Sequence, residues 1–260
     1  MKFVRMAGML FALSVKRELA FRTNLVFQLI VTLLTTFAEL AALRLVYTQT
    51  ATLAGWSFGH ILLLFGTFQI LRGLLATFVD PNFQWFSNQV RSGKLDALLL
   101  LPVPSILMVN TGTYAPIELI QIGVGIGVIG AAFLTLHISP FFWGVIGWLF
   151  LLAVGFIISW AARVLLASVV FWAASVELDV FYRTIWEFGR YPISIYRQPV
   201  RFLLTYIFPV AFLATYPASA FIEGINPLHM LVGGLLSAGF LVLVQLVWRS
   251  GLRRYTSATS

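Results

Sequence analysis

Six runs of almost unbroken apolar residues, at 25–47, 58–79, 107–134, 141–176, 202–221 and 228–248, dominate this 260-residue chain. Each reaches the roughly 20 residues that a helix needs to cross the hydrocarbon core of a bilayer. A chain so built cannot fold as a water-soluble domain. Sixty per cent of its residues are apolar and 10% charged, whereas an ordinary globular protein carries about 25% charged residues. In lipid every backbone polar group must be satisfied internally, and runs of this length predict helices. The segments between the runs are rich in Gly, Pro, Asn, Ser or charge, as turns are. The expectation is an all-α integral membrane protein: one domain over 1–260, six transmembrane helices, both termini on one side and no separate soluble catalytic domain.

The distribution of basic residues orients this topology. Lys2, Arg5, Lys16, Arg17 and Arg22, then Arg91 and Lys94, then Arg183, Arg190, Arg197 and Arg201, and finally Arg249, Arg253 and Arg254 all fall on one side. That is fourteen of the seventeen Lys and Arg, and the loops of the other side contain none. By the positive-inside rule the fourteen-residue side is cytoplasmic, in an inner or plasma membrane. The formal charge of +8 therefore reads as membrane topology and not as a nucleic-acid footprint. Residues 1–23 begin like a signal peptide, but Lys16, Arg17 and Glu18 stand where a small-residue cleavage site belongs. The segment reads as a retained interfacial helix with Lys2, Arg5 and Lys16 within about 60° of one another. The run 141–176 would make a helix of about 54 Å against a core of about 30 Å. Either it continues into the cytoplasm with Arg163 snorkelling near the headgroups, or it folds as two pieces; the first preserves the charge asymmetry. Pro209 and Pro217 predict a kink or partial break in the run 202–221.

Two segments carry more information than a span or a turn requires. In the cytoplasmic stretch 80–96, Phe83, Phe86 and Val90 stand at i, i+3 and i+7, so a short helix starting near Pro81 and ended by Gly93 would show one apolar face. Such a face suits either docking in a groove of another protein or burial in the headgroup region. In the third run, Asn110, Tyr114, Glu118 and Gln121 step by 4, 4 and 3 and predict a polar stripe on one helix face. That stripe is a candidate wall of a substrate passage, or a set of interhelical hydrogen bonds, with Glu118 near mid-membrane. Further along, Gly123, Gly125, Gly127 and Gly130 predict a close helix contact, within the bundle more than between chains. Glu39, Arg44 and Arg72 are intramembrane charges whose partners must lie on other spans.

Some chemistries are excluded. With no Cys there is no disulfide framework, thiol catalysis or cysteine-ligated metal. His60, His137 and His229 have no metal-ligand spacing, and neither a phosphate-binding loop nor a nucleophile elbow is present. The chain is not expected to be an enzyme; if ATP drives it, another polypeptide binds the nucleotide.

The run Val90-Arg91-Ser92-Gly93-Lys94-Leu95-Asp96-Ala97-Leu98-Leu99-Leu100-Leu101-Pro102, with Arg190-Tyr191-Pro192-Ile193-Ser194-Ile195-Tyr196, the stretch Arg201 to Phe212 and Tyr216-Pro217-Ala218, resembles the permease subunits of ABC-2 type exporters, in their DUF990-like branch. The resemblance spans most of the chain. It implies the ABC-2 permease fold: six spans, an N-terminal interfacial elbow helix and a cytoplasmic coupling helix at 81–96. It further implies a half-transporter that meets a second permease, the same chain or a homologue, and docks separate ABC ATPase subunits that hold ATP and Mg. By that analogy Phe83, Phe86, Val90, Arg91, Lys94 and Asp96 would seat in the ATPase, and Asn110, Tyr114, Glu118 and Gln121 would line the passage. Membrane lipid is the other expected partner, and nucleic acid is not one. The competing expectation is an ATP-independent secondary transporter or channel with Glu118 as its ion or proton site.

Overall fold

The computed structural model describes residues 2–92, 105–106, 110–173 and 178–254, and within them the chain is helical, with no strand. Helix α1 (Lys2–Ala20) is separated by Phe21 from α2 (Arg22–Gln49). A tight turn with Ala54 and Gly55 at positive φ leads to α3 (Phe58–Phe78), whose first turn is capped by the Ser57 hydroxyl accepting from the His60 N–H. Val79 separates α3 from α4 (Asp80–Arg91), where Pro81 occupies the first turn and so sacrifices no helical hydrogen bond. Then come α5 (Leu119–Leu136), entered through a 3₁₀ turn at Pro116–Glu118, α6 (Phe142–Ser168), prolonged by a 3₁₀ turn at Val169–Phe171, and α7 (Asp179–Glu187). The one-turn α8 (Val200–Phe202), α9 (Thr215–Glu223) and α10 (Pro227–Arg254) complete the order.

Among the described residues, five helical stretches are long and apolar enough to cross a membrane: Arg22–Gln49, Phe58–Val90, Pro116–Leu136, Phe142–Phe171 and Pro227–Arg254. The run 202–221 is not a sixth helix of that kind. A π turn over Leu203–Ile207, a 3₁₀ turn over Val210–Phe212 and then α9 replace it. Pro209 has no N–H to continue a ladder, and the Phe208 N–H instead reaches back five residues to the Leu203 carbonyl at 2.8 Å. The break expected from Pro209 is thus deeper than a kink. Irregular backbone away from water needs protein around it, and the residues from Val210 to Ala214 are at most 1% exposed.

The centre of the bundle is α3, with α5, α6 and α9 packed around it. Gly59, Gly66 and Gly73, seven residues apart, present one glycine-lined face to α5, where an added Cβ would collide with Leu136, with the Gly125 carbonyl and Ile129, and with Ile122 respectively. Close approach of backbones is the usual source of helix attraction in lipid, where apolar burial drives little. Of the four glycines expected at such a contact, Gly125 lies in this seam, whereas Gly123, Gly127 and Gly130 face open space. At the other extreme α2 buries only Thr32 and Thr36 and shows most of its apolar surface. The described part of 141–176 is a single helical run to Phe171 with no hairpin.

Candidate coupling element and the polar junction at its root

Helix α4 is amphipathic, and its apolar face is turned inward. Phe83, Phe86 and Val90 are 5%, 0% and 7% exposed. The Phe86 ring lies 5.8 Å from that of Phe171 and 5.3 Å from that of Trp248, and these two rings are 5.3 Å apart. A cluster of three rings therefore fastens α4 to the ends of α6 and α10. Phe83, Phe86 and Val90, expected to seat in a partner, are instead buried within this chain, with Phe86 against the ends of α6 and α10. Gln84 and Asn88, one turn apart on the other side, are exposed. Lys94 and Asp96 lie outside the described residues, as does the side chain of Arg91.

Asn82, near the start of α4, is fully buried. Its amide donates to the Phe78 carbonyl at 2.9 Å and its oxygen accepts from the Thr113 N–H at 2.8 Å, so it ties the start of α4 to the chain entering α5. Trp85 lies over Gly112, where a Cβ would fall 2.8 Å from the indole.

At the root of α4 the sequence reading missed an ion-pair network. Arg163 of α6 is only 6% exposed and does not snorkel. Its Nε and Nη2 donate to Asp80 Oδ1 at 2.9 and 2.8 Å, and its Nη1 donates to Asp179 Oδ1. Asp179 also accepts from Arg183 at 2.7 Å. The guanidinium stacks 3.9 Å from the centre of the Tyr182 ring, which in turn stacks on Trp186. Trp186 Nε1 donates to Ser159 Oγ at 2.8 Å. A buried guanidinium needs such company, since uncompensated it would cost several kcal/mol. Partial burial of the Asp179 carboxyl would push its pKa up, but the hydrogen bonds and charges of Arg163 and Arg183 hold it below the usual carboxylate range. The signal available beforehand was a lone arginine within an apolar run, which demanded an acidic partner, and an Asp-Pro pair at a helix start. A cavity of about 360 Å³ opens between α4, α6 and α7, with Gln84, Ser87, Asn88 and Tyr182 among its walls.

The expected polar stripe is not one helix face. Pro116 excludes the α conformation at Ala115, which sits at φ −122°, ψ 76°, so Asn110 and Tyr114 precede the helix. Asn110 accepts from Trp160 Nε1. Tyr114 is buried edge-on between Phe11 and Phe78. Glu118 and Gln121 remain together: Glu118 accepts from Gln121 and, at 3.4 Å, from Gln28 of α2. Glu118 stands at the entry of α5 and not at its middle. There the elbow contributes too, as Glu18 Oε2 accepts from the Ile117 N–H at 2.6 Å, closing one of the free donors of the helix start. Burial raises the Glu18 pKa, the Ile117 N–H and Arg17 oppose that, and the nearby Glu118 adds to it.

Over residues 33–259 the chain matches the family model described as ABC-2 family transporter protein. No curated protein and no solved structure matches it.

Proposed function

The chain belongs to the ABC-2 family of transporter proteins, a membrane-embedded multi-pass transport component, and from that premise we propose that it is the permease half of an ATP-driven exporter whose ATPase subunits dock against α4. The observation that carries this reading is the way α4 is held. A cytoplasmic helix can transmit a push only if it is fixed to the spans. Here Phe86 is locked between Phe171 and Trp248, while Asp80 is bonded to Arg163. Closure of the ATPases on ATP would displace α4, and the displacement would pass as a rigid-body movement to α6, α7 and α10. The docking surface is the outward side with Gln84 and Asn88, and Arg91, Lys94 and Asp96 follow it in sequence.

In this reading the chain crosses six times, with the broken segment 200–223 as the fifth crossing and the fourteen basic residues inside. Both termini are then cytoplasmic, and a second permease and lipid cover the exposed apolar surface of α2. ATP and Mg belong to the partner ATPase.

The absence of Cys in the natural sequence gives the test a clean background. Asn88→Cys and Gln84→Cys, expressed in native membranes, are expected to cross-link to a co-purifying ATPase subunit that carries a phosphate-binding loop, and Lys94→Cys to label only from the cytoplasmic side. A functional chain that purifies and transports alone in liposomes would replace this reading with the secondary transporter.

A further inference from the structure

Most ionisable side chains expected within the apolar runs have a partner. Glu39 pairs with Arg190 at 3.2 Å, Arg44 lies over the Phe58 ring, Glu118 is hydrogen-bonded by Gln28 and Gln121, and Arg163 is held by Asp80 and Asp179. Arg72 differs: among the described residues its guanidinium makes no hydrogen bond, ion pair or ring contact, and it is exposed. It stands six residues, about 9 Å, before the end of α3. A charge at that depth is costly unless it faces water, protein or an anion.

Arg72 opens on a pocket of about 110 Å³ between α3 and α7, whose apolar walls are Phe68, Leu71, Leu75 and Trp186 and whose other cations are Arg163, held by Asp80 and Asp179, and Arg183, whose Nε is bonded to Asp179. The carboxylates at this pocket are already engaged: Asp80 by Arg163, and Glu187 by Arg190 at 2.8 Å. The pocket thus joins a cation without a partner, two guanidiniums already paired with carboxylates, and apolar walls. Its volume is that of three or four waters, room for one anionic group but not for a whole amphiphile. Earlier on α7, Val180 and Phe181 are 71% and 50% exposed, an apolar surface on which chains could lie while the head enters.

We propose that this groove binds the phosphate group of an anionic amphiphile, with Arg72 as the main ligand, Arg183 as the second and the acyl chains along α7. The bound group would neutralise Arg72, and guanidinium forks suit phosphate oxygens. The proposal needs the chain only to be embedded in a membrane, so it stands or falls separately from coupling to an ATPase.

The test uses the full chain, purified in a neutral detergent without other subunits and titrated with dihexanoyl phosphatidylglycerol, dihexanoyl phosphatidylcholine or inorganic phosphate while thermal unfolding is followed. Phosphatidylglycerol is expected to stabilise the wild type at about tenfold lower concentration than phosphatidylcholine, whose choline cation is repelled by Arg72 and Arg183. Arg72→Gln should erase the preference and Arg72→Lys keep part of it. If Arg72→Gln does not fold, Leu75→Phe, which fills the pocket but keeps the cation, should also erase it. Stabilisation by inorganic phosphate at the same concentrations would assign the site to a soluble anion and overturn the amphiphile. Equal response to both lipids, a preference that survives Arg72→Gln, or a wild type that purifies as a dimer indifferent to either lipid would overturn the proposal.

Discussion

Arg163 Nη2 lies 2.8 Å from Asp80 Oδ1, joining the middle of the chain to the first residue of α4 across 83 positions of sequence. Removing one partner of a buried pair leaves the other charge uncompensated, which costs about 3 kcal/mol or more. Asp80→Asn should therefore lower the thermal midpoint of the purified chain, and Arg163→Met should do so by less in an Asp80→Asn background than alone. A double-mutant cycle on unfolding midpoints measures this; additive effects would mean that the pair is not coupled.

The inward turn of α4 separates two kinds of substitution. Phe86→Ala opens a cavity among three rings and should cost about 3–5 kcal/mol, visible as loss of folded protein in detergent. Asn88→Arg, on the exposed side, should leave the thermal midpoint within about 0.5 kcal/mol of the wild type yet reduce recovery of the ATPase subunit on co-purification. Wild-type recovery with Asn88→Arg would remove this side of α4 as the docking surface.

Glu18 makes the contact between the elbow and α5 pH-dependent. Its pKa is raised in the folded chain, so the stability it contributes is fully present below the ordinary carboxylate value and is lost as pH rises through the folded value. Glu18→Gln keeps an acceptor for the Ile117 N–H without the charge. Its midpoint should exceed that of the wild type at pH 7.5, and the gap should close as pH falls to the carboxylate range. Glu18→Ala, which leaves the N–H unpaired, should cost about 1 kcal/mol at low pH and less at pH 7.5, where the ionised wild type has lost that contribution.

The two glycine faces of the bundle should respond oppositely. Gly66→Ala would set a Cβ 2.7 Å from the Gly125 carbonyl oxygen, backbone against backbone, and should force α3 and α5 apart with a clear loss of thermal stability. Gly127→Ala meets nothing within 4 Å and gains helix propensity of about 0.5–1 kcal/mol, so it should be neutral or stabilising. Paired melting curves in one detergent decide it.

Residence in a membrane, the helical class, the amphipathic helix after α3 and the break at Pro209 could be read from the chain alone, because each depends on local composition or on the period of a single helix. The start of α5 was also written locally, in Pro116, but the 4, 4, 3 spacing from Asn110 to Gln121 concealed it: periodicity describes a helix only where the backbone can form one. Which way α4 turns its phenylalanines was not legible. An apolar stripe fits a groove in a partner as well as the ends of α6 and α10, and only the fold brings Phe171 and Trp248 to it. The partner of Arg163, the engagement of Glu39 by Arg190 and the isolation of Arg72 are likewise facts of distance between remote positions. Sequence states that a charge in an apolar run needs a counterpart, and the tertiary structure decides which charges receive one.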